Sequence, residues 1–310
     1  MLMIVSCKGD SSKEAQLSEE IRIQAYIDSL ALDISADADG LFAYPVILNP
    51  GGKTQLEGDV LKLYFKMDVL GGGTVDVQDS LDTDSLVVKQ GANAIYPIGL
   101  DLALAYMREG EKWSFIIPSK LGFGDFSFST LIPENAILLV DIELLTIQSE
   151  DDILNREIVA IGNYVDSENL RDTAIYPLNQ PDFLPNGMVV KRIKSSEGSQ
   201  LGTAELAEAI YDGYFLDGTV FDRAAAGAPF QFSYGESLLN TGFQLTIDRM
   251  RKGERFLTII PSYLAYKESA QVIPSFLTEE MITRKIVPPY VAKVPPYRSV
   301  VFQIELIQAN

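Results

Sequence analysis

Apolar and polar positions alternate along this chain in two periods. Val300, Phe302, Ile304 and Leu306 alternate with Val301, Gln303, Glu305 and Ile307. That two-residue period marks a strand, whose successive side chains point to opposite faces. Leu138, Val140, Ile142 and Leu144 show the same period. A longer period, with apolar residues three and four apart, joins Ile23, Ile27 and Leu30, and again Leu154, Ile158, Ile161 and Val165. Each set lies on one face of a helix. Ser149, with Asp152 three positions on, is a cap signal for the second helix. Two shorter helices are expected at Leu100 to Met107 and Phe243 to Met250. Strands grouped around a short helix predict an α+β architecture with antiparallel sheets.

The pattern occurs twice. Residues 106–124 and 249–267 align without gaps at an offset of 143, with nine identities in 19 positions, among them Met107/Met250, Gly110/Gly253, Glu111/Glu254, Pro118/Pro261 and Leu121/Leu264. Upstream, Gly40, Gly51 and Tyr64 match Gly187, Gly198 and Tyr211 at an offset of 147. At the ends, Ile142-Glu143-Leu144 matches Ile304-Glu305-Leu306 at 162, so the second copy carries about 19 extra residues after position 267. A length of 310 residues accommodates two such units.

Composition narrows the chemistry. The net charge of −18 disfavours phosphate backbones and anionic headgroups, so nucleic acid is not an expected partner. The chain has no histidine, which removes Ser-His-Asp triads, Cys-His pairs and His-ligated metals. A single cysteine, Cys7, makes no internal disulfide or thiolate cluster, and no metal or cofactor is expected. Gly71-Gly72-Gly73 has no Gly-Lys-Ser/Thr after it and reads as a turn rather than a phosphate loop. Glu150-Asp151-Asp152 reads as helix-start charge. Trp113, Phe232 and Phe256 read as core on strands. No run of 18 apolar residues predicts a membrane-spanning helix. Ile4-Val5-Ser6-Cys7 resembles the lipobox of bacterial lipoproteins, and Lys8 to Glu14 reads as a polar tether after it. That pattern implies lipidation at Cys7, a membrane anchor and a place in the bacterial cell envelope, facing the periplasm or the surface.

The second copy also carries a family pattern. Tyr211-Asp-Gly-Tyr-Phe-Leu-Asp-Gly-Thr-Val-Phe221-Asp222, Pro229-Phe230-Gln231-Phe232, Gly242-Phe243, Met250 to Glu254, Ile260-Pro261-Ser262-Tyr263-Leu264-Ala265-Tyr266, Val294-Pro295-Pro296 and Val301 to Leu306 follow in order. Together, over residues 186–308, they resemble the FKBP-type peptidyl-prolyl isomerases. The resemblance implies two FKBP-like units, each an antiparallel half-barrel sheet wrapped on one short helix, with an extra N-terminal amphipathic helix per unit. Expected boundaries are 1–11 for signal remnant and tether, 12–148 for a degenerate unit, 149–185 for helix and connector, and 186–310 for the isomerase unit, with an insertion at 268–293.

By the same resemblance, an aromatic box for a proline ring is walled by Tyr211, Phe221, Asp222, Phe230, Leu239, Phe243, Tyr266, Val294 and Phe302. Tyr266 would donate to the substrate carbonyl, and Asp222 would pair with the Tyr211 hydroxyl. Phe243 stands for the family's floor tryptophan. Lys267 stands where a glycine is usual, which predicts an altered turn. The 268–293 loop is expected at the pocket rim. In the first copy Tyr64 and Asp76 match, but Val75, Leu100, Phe123 and Val140 replace the ring positions, so little or no activity is expected there; Asp76 by itself reads as a turn residue. The implied function is X-Pro isomerisation in proline-containing exported polypeptides. The alternative is an inactive FKBP-like binding module in an envelope complex, which the same fold would serve.

Overall fold

A long helix opens each unit, and strands with one short helix follow it. In the computed structural model the order is α1 (Lys8–Ser29), β1 (Phe42–Ile47), β2 (Val60–Val69), β3 (Thr74–Gln78), β4 (Leu86–Lys89), β5 (Ile95–Tyr96), α2 (Ile98–Leu104), β6 (Lys112–Ile117), β7 (Leu138–Gln148), α3 (Glu150–Ser167), β8 (Asp182–Phe183), β9 (Val189–Lys194), β10 (Leu206–Phe215), β11 (Val220–Ala224), β12 (Phe230–Ser233), α4 (Thr241–Ile247), β13 (Arg255–Ile260), β14 (Gln271–Val272), α5 (Thr278–Thr283) and β15 (Val300–Gln308). The structure describes all residues except 1–7, 82–84, 173, 176, 177, 179, 203–205, 235–238, 270, 288–293 and 309–310. Cys7, Pro288 and Pro289 therefore lie outside the described residues. The tether expected from Lys8 is helical, continuous with α1.

The chain divides into two units, Met1–Ile147 with Gln271–Arg284, and Gln148–Ala270 with Lys285–Asn310. The first has the antiparallel sheet order β1-β6-β7-β2-β3, with β4 also on β2; the second runs β11-β10-β15-β13-β9-β8, with β12 also on β10. In the second unit the central strands are covered on both faces. Phe256, Ile260, Phe302 and Ile304 pack with Phe243 and Ile247 of α4. Leu257, Ile259 and Val301, one position out of phase, pack with Ile161 and Val165 of α3. The strand period of two sends alternate residues to the two helices, so β13 reads as a nearly unbroken apolar run. In the first unit Ile23 and Ile27 of α1 pack on Ile116 and Ile137 in the same way.

The helical faces differ in part from the periodicity reading. Leu30 follows the end of α1 and is 43% exposed. On α3 the buried stripe is Ile153, Glu157, Ile161 and Val165, while Ile158 is 44% exposed. Glu157 occupies the stripe because its carboxylate accepts from Ser262 N–H, from Ser262 Oγ at 2.8 Å and from Ser299 Oγ at 2.7 Å. Burial raises its pKa, against the pull of those hydrogen bonds. Glu19 of α1 makes the matching contacts to the amide and hydroxyl of Ser119 in the first unit. A hydrophobicity pattern is blind to a carboxylate held this way. The cap signal does form: Ser149 Oγ accepts from Asp152 N–H, and the Asp152 carboxylate accepts from Ser149 N–H.

The stretch expected at the rim of the second unit's pocket is divided instead. Its residues 271–284 belong to the first unit. There β14 pairs in parallel with β5, and Ile273 N–H donates to the Tyr96 carbonyl at 2.8 Å. Val272, Ile273, Pro274, Leu277 and Met281 are buried. The insertion thus extends the first unit's core, and its apolar residues explain the placement.

Candidate functional site

The strands of the second unit bring the expected wall residues together on the α4 side of the sheet. Phe243, Val294 and Phe302 are buried in one cluster, and Tyr211, Phe221, Phe230, Leu239 and Tyr266 pack against it half-buried. Tyr211 meets Phe230, Phe243 and Phe302 edge to face, with centroids 6.0, 5.7 and 5.6 Å away. Phe221 meets Tyr266 at 6.0 Å and Phe302 at 5.6 Å in the same geometry, and Phe243 meets Phe302 at 5.3 Å. Edge-to-face pairs contribute about 0.5–1.5 kcal/mol each beyond burial. Six of them sharing rings give a stiff box whose walls move together.

Clearance for these rings comes from a residue that has no side chain. Gly213 lies on β10 opposite Phe302. A Cβ there would stand 2.8 Å from Phe302 Cε1 and 3.0 Å from Phe221 Cζ. The glycine is thus required by close approach of the two rings.

Polar groups sit at the edge of the box. The Tyr211 hydroxyl donates to Asp222 Oδ2 at 2.8 Å. Burial, then the hydrogen bond and charge of Asp222, push the Tyr211 pKa up. Burial, then the Asp222 charge, also raise Tyr266, and the polar Asn240 side chain acts in the opposite direction. Both phenols are therefore neutral donors at physiological pH, and neither is a base. Asn240 caps α4, accepting from Phe243 N–H at 2.8 Å. Gly213 stands in the matched sequence pattern but was given no role there; Asn240 was missed, though it leaves a signal, an N-cap residue directly before the helix.

Lys267 departs from expectation in the reverse sense. Its φ is +51°, and its N–H donates to Ser262 O at 2.9 Å. Gly124, its counterpart in the first unit, has φ +62° and the same bond to Ser119 O. The turn is kept, and lysine adopts the left-handed backbone at a cost of about 1–2 kcal/mol.

The first unit resolves differently. Asp76 lies opposite Met67, as Asp222 lies opposite Gly213. The structural offset is therefore 146, and the counterpart of Tyr211 is Phe65, not Tyr64. A slip of one residue reverses a strand's faces. Phe65 is buried, while Tyr64 borders a shallow groove on the opposite face with Lys66, Lys112, Asp141 and Glu143. Met67, fully buried, stands where the second unit has Gly213; Val75 and Val140, also buried, stand where it has Phe221 and Phe302. A buried methionine thus stands at the position that glycine holds in the second unit, and two buried valines stand at ring positions.

Comparison with known protein families finds the same pattern twice in the chain. The model of one protein family, described as FKBP-type peptidyl-prolyl cis-trans isomerase, matches residues 51–145 and 198–307. A human protein named peptidyl-prolyl cis-trans isomerase FKBP10 is 25% identical over 254 residues, covering 82% of this chain and 34% of its own length. FK506-binding protein 4 of Rhizopus delemar is 39% identical over 84 residues, covering 27% of this chain and 22% of its own length. The chain thus spans about a third or less of these curated relatives. Among solved structures, the three FKBP domains of wheat FKBP73 align over 88% of this chain and 96% of that one at 19% identity, with a TM-score of 0.33.

Proposed function

Because the chain belongs to the FKBP-type peptidyl-prolyl cis-trans isomerase family, we propose that its second unit rotates X-Pro peptide bonds and that its first unit does not. The observation that carries this reading is the contrast at one strand position. Gly213 leaves room for Phe221 and Phe302 to form a ring-walled box, whereas a buried methionine, Met67, stands at the matching position.

Rotation about a peptide bond must give up amide resonance, against a barrier of about 18–20 kcal/mol. The planar amide is strongly dipolar, and the twisted one less so, because nitrogen regains its lone pair and oxygen loses negative charge. An apolar box therefore stabilises the twisted state relative to the planar one, which is differential binding of the transition state. No proton moves, so a chain without histidine can do this chemistry. Tyr266, as a neutral donor, would hold the substrate carbonyl and fix the axis of rotation. Tyr211, tied to Asp222, would keep the β10–β11 edge of the box in place. Phe230, Leu239, Phe243 and Val294 would close the remaining sides. Pro274, in the loop expected at the pocket rim, is buried in the first unit, which favours catalysis over the inactive binding module.

Clients would be proline-containing polypeptides. With Cys7 as a lipid anchor the protein would serve exported chains at the cell envelope, where slow X-Pro isomerisation can limit folding. The test is magnetisation-exchange NMR on a short X-Pro peptide. Wild type should accelerate exchange, Tyr266→Ala should lose most of the acceleration, and Tyr64→Ala should retain it. No acceleration by a folded wild type would refute the catalytic reading and leave the binding module. Radiolabelled palmitate incorporation that persists after Cys7→Ser would refute the anchor.

A further inference from the structure

We propose that α3 positions Tyr266 in the isomerase site: two of its carboxylates, Glu150 and Glu157, hold the hydroxyls of Tyr297 and Ser299, and through them the turn that carries Tyr266. The inference rests on the isomerase reading above and adds a helix that the aromatic pattern does not contain.

Glu150 and Glu157 lie seven positions apart on α3, two turns along one face. The Tyr297 hydroxyl donates to Glu150 Oε1 at 3.0 Å. The Ser299 hydroxyl donates to Glu157 Oε1 at 2.7 Å. Burial, then the charge of Glu150, raise the Tyr297 pKa, so this phenol is a neutral donor. One helix face thus grips both ends of the segment Tyr297–Ser299, which leads directly into β15 and Phe302.

The same segment closes the turn around Tyr266. Tyr297 N–H donates to Lys267 O at 2.9 Å, and Lys267 N–H donates to Ser262 O at 2.9 Å. Ser262 is held in turn by Glu157, through its amide at 3.0 Å and its hydroxyl at 2.8 Å. The bonds make a closed circuit from Glu157 through Ser262, Lys267, Tyr297 and Ser299 back to Glu157. Tyr266 belongs to the turn that the circuit fixes, and its ring stands edge to face with Phe221 at 6.0 Å. A hydroxyl that must meet a rotating amide loses much of its effect when its backbone is displaced by about an ångström.

The first unit separates the parts of this circuit that serve the fold from those that serve the site. Its turn is closed by the same backbone bonds, from Gly124 N–H to Ser119 O and from Asn135 N–H to Gly124 O, both at 2.8 Å, and Glu19 holds the amide and hydroxyl of Ser119. Asn135 even shares the φ of +54° found at Tyr297. The strand pairing aligns Asn135 with Tyr297 and Ile137 with Ser299, and neither side chain has a hydroxyl. The two hydroxyl latches therefore accompany the turn that has a tyrosine to aim, and not the turn in which Phe123 stands in its place.

Tyr297→Phe combined with Ser299→Ala removes both hydroxyls and leaves every backbone bond of the circuit. Ile161→Ala is the control: Ile161 is buried on α3 against Leu257, Ile259 and Val301, on the face of the sheet away from the box. Magnetisation exchange at several X-Pro peptide concentrations gives kcat and KM, at a temperature where all variants are folded. The double variant should lower kcat about tenfold, the scale of one misaimed hydrogen bond, with KM changed by less than about twofold, as for a contact realised in the transition state. Ile161→Ala should keep kcat although it lowers the melting temperature more. In a Tyr266→Phe background the double variant should cause no further loss. An unchanged kcat in the double variant, an equal kcat loss in Ile161→Ala, or a loss that adds to that of Tyr266→Phe would overturn the proposal. If wild type proves inactive, the isomerase reading fails by itself, and tyrosine labelled at Cζ with carbon-13 still decides this one, with Tyr266→Phe assigning the signal. A Tyr266 resonance moved by the double variant and not by Ile161→Ala would support the latch; one that stays in place would overturn it.

Discussion

The sharpest test of the box is the addition of one methyl group at Gly213. In Gly213→Ala the new carbon would sit 2.8 Å from Phe302 Cε1, 3.0 Å from Phe221 Cζ and 3.2 Å from Phe302 Cδ1. Carbon atoms in comfortable contact are about 3.5–4.0 Å apart, so the two rings must retreat by roughly 0.5–0.7 Å. Neither can do so alone. Phe302 is also packed on Tyr211 and Phe243, and Phe221 on Tyr266. Overpacking of this kind costs about 1–3 kcal/mol. The same displacement degrades the surface that discriminates the twisted from the planar amide, and a factor of ten in rate needs only about 1.4 kcal/mol. Gly213→Ala should therefore lower the stability of the second unit by about 1–3 kcal/mol in urea, and lower the magnetisation-exchange rate of an X-Pro peptide at least tenfold at a temperature where it is folded. A variant that matches wild type in both would show that ring placement by Gly213 does not govern catalysis.

Two further outcomes follow from the packing. Burial holds the Glu157 pKa above its ordinary value. The folded state then binds the proton more tightly than the unfolded chain, so this group's contribution to stability is greatest below its unfolded pKa and falls as pH rises through the raised value. Glu157→Gln should remove that fall, seen in urea unfolding of both proteins from about pH 4 to about pH 7; a stability difference between them that does not vary with pH would refute it. Met281→Ala empties a fully buried site in the 271–284 segment and should cost about 2–5 kcal/mol. Hydrogen exchange should locate the loss in β5 and α2, with X-Pro exchange catalysis retained; loss of protection confined to β13 and β15 would contradict the assignment of this segment to the first unit.

Strands and the doubled architecture were legible because period-two alternation and the 106–124/249–267 match are local. Most of the box was legible for a related reason: its rings sit at short, ordered spacings on adjoining strands. What escaped acts without leaving an apolar signature. Glu157 faces the core through hydrogen bonds from Ser262 and Ser299, so the α3 face was misread by one position. Gly213 acts by having no side chain. Lys267 holds a glycine-like backbone that its residue type hides. The path of 271–284 depends on contacts with a strand some 175 residues earlier in the chain, at Ile95–Tyr96, and no local pattern encodes such a contact.

Tyr64 illustrates the limit of matching one copy against the other. A tyrosine in each copy invited an offset of 147, and the strand pairing makes it 146. The difference moves Tyr64 out of the box and puts Phe65 and Met67 into it. It also changes how the first unit came to lack its site. Replacing two phenylalanines by Val75 and Val140 would leave a void, and protein interiors tolerate few. Met67 occupies the place that Gly213 keeps clear, so lost ring volume and gained methionine volume offset each other within one strand's reach. Restoring either ring alone would then collide with Met67, and removing Met67 alone would leave a cavity. The unit is held away from a ring-walled box by packing at three positions together, which is why no single residue in the sequence announces it.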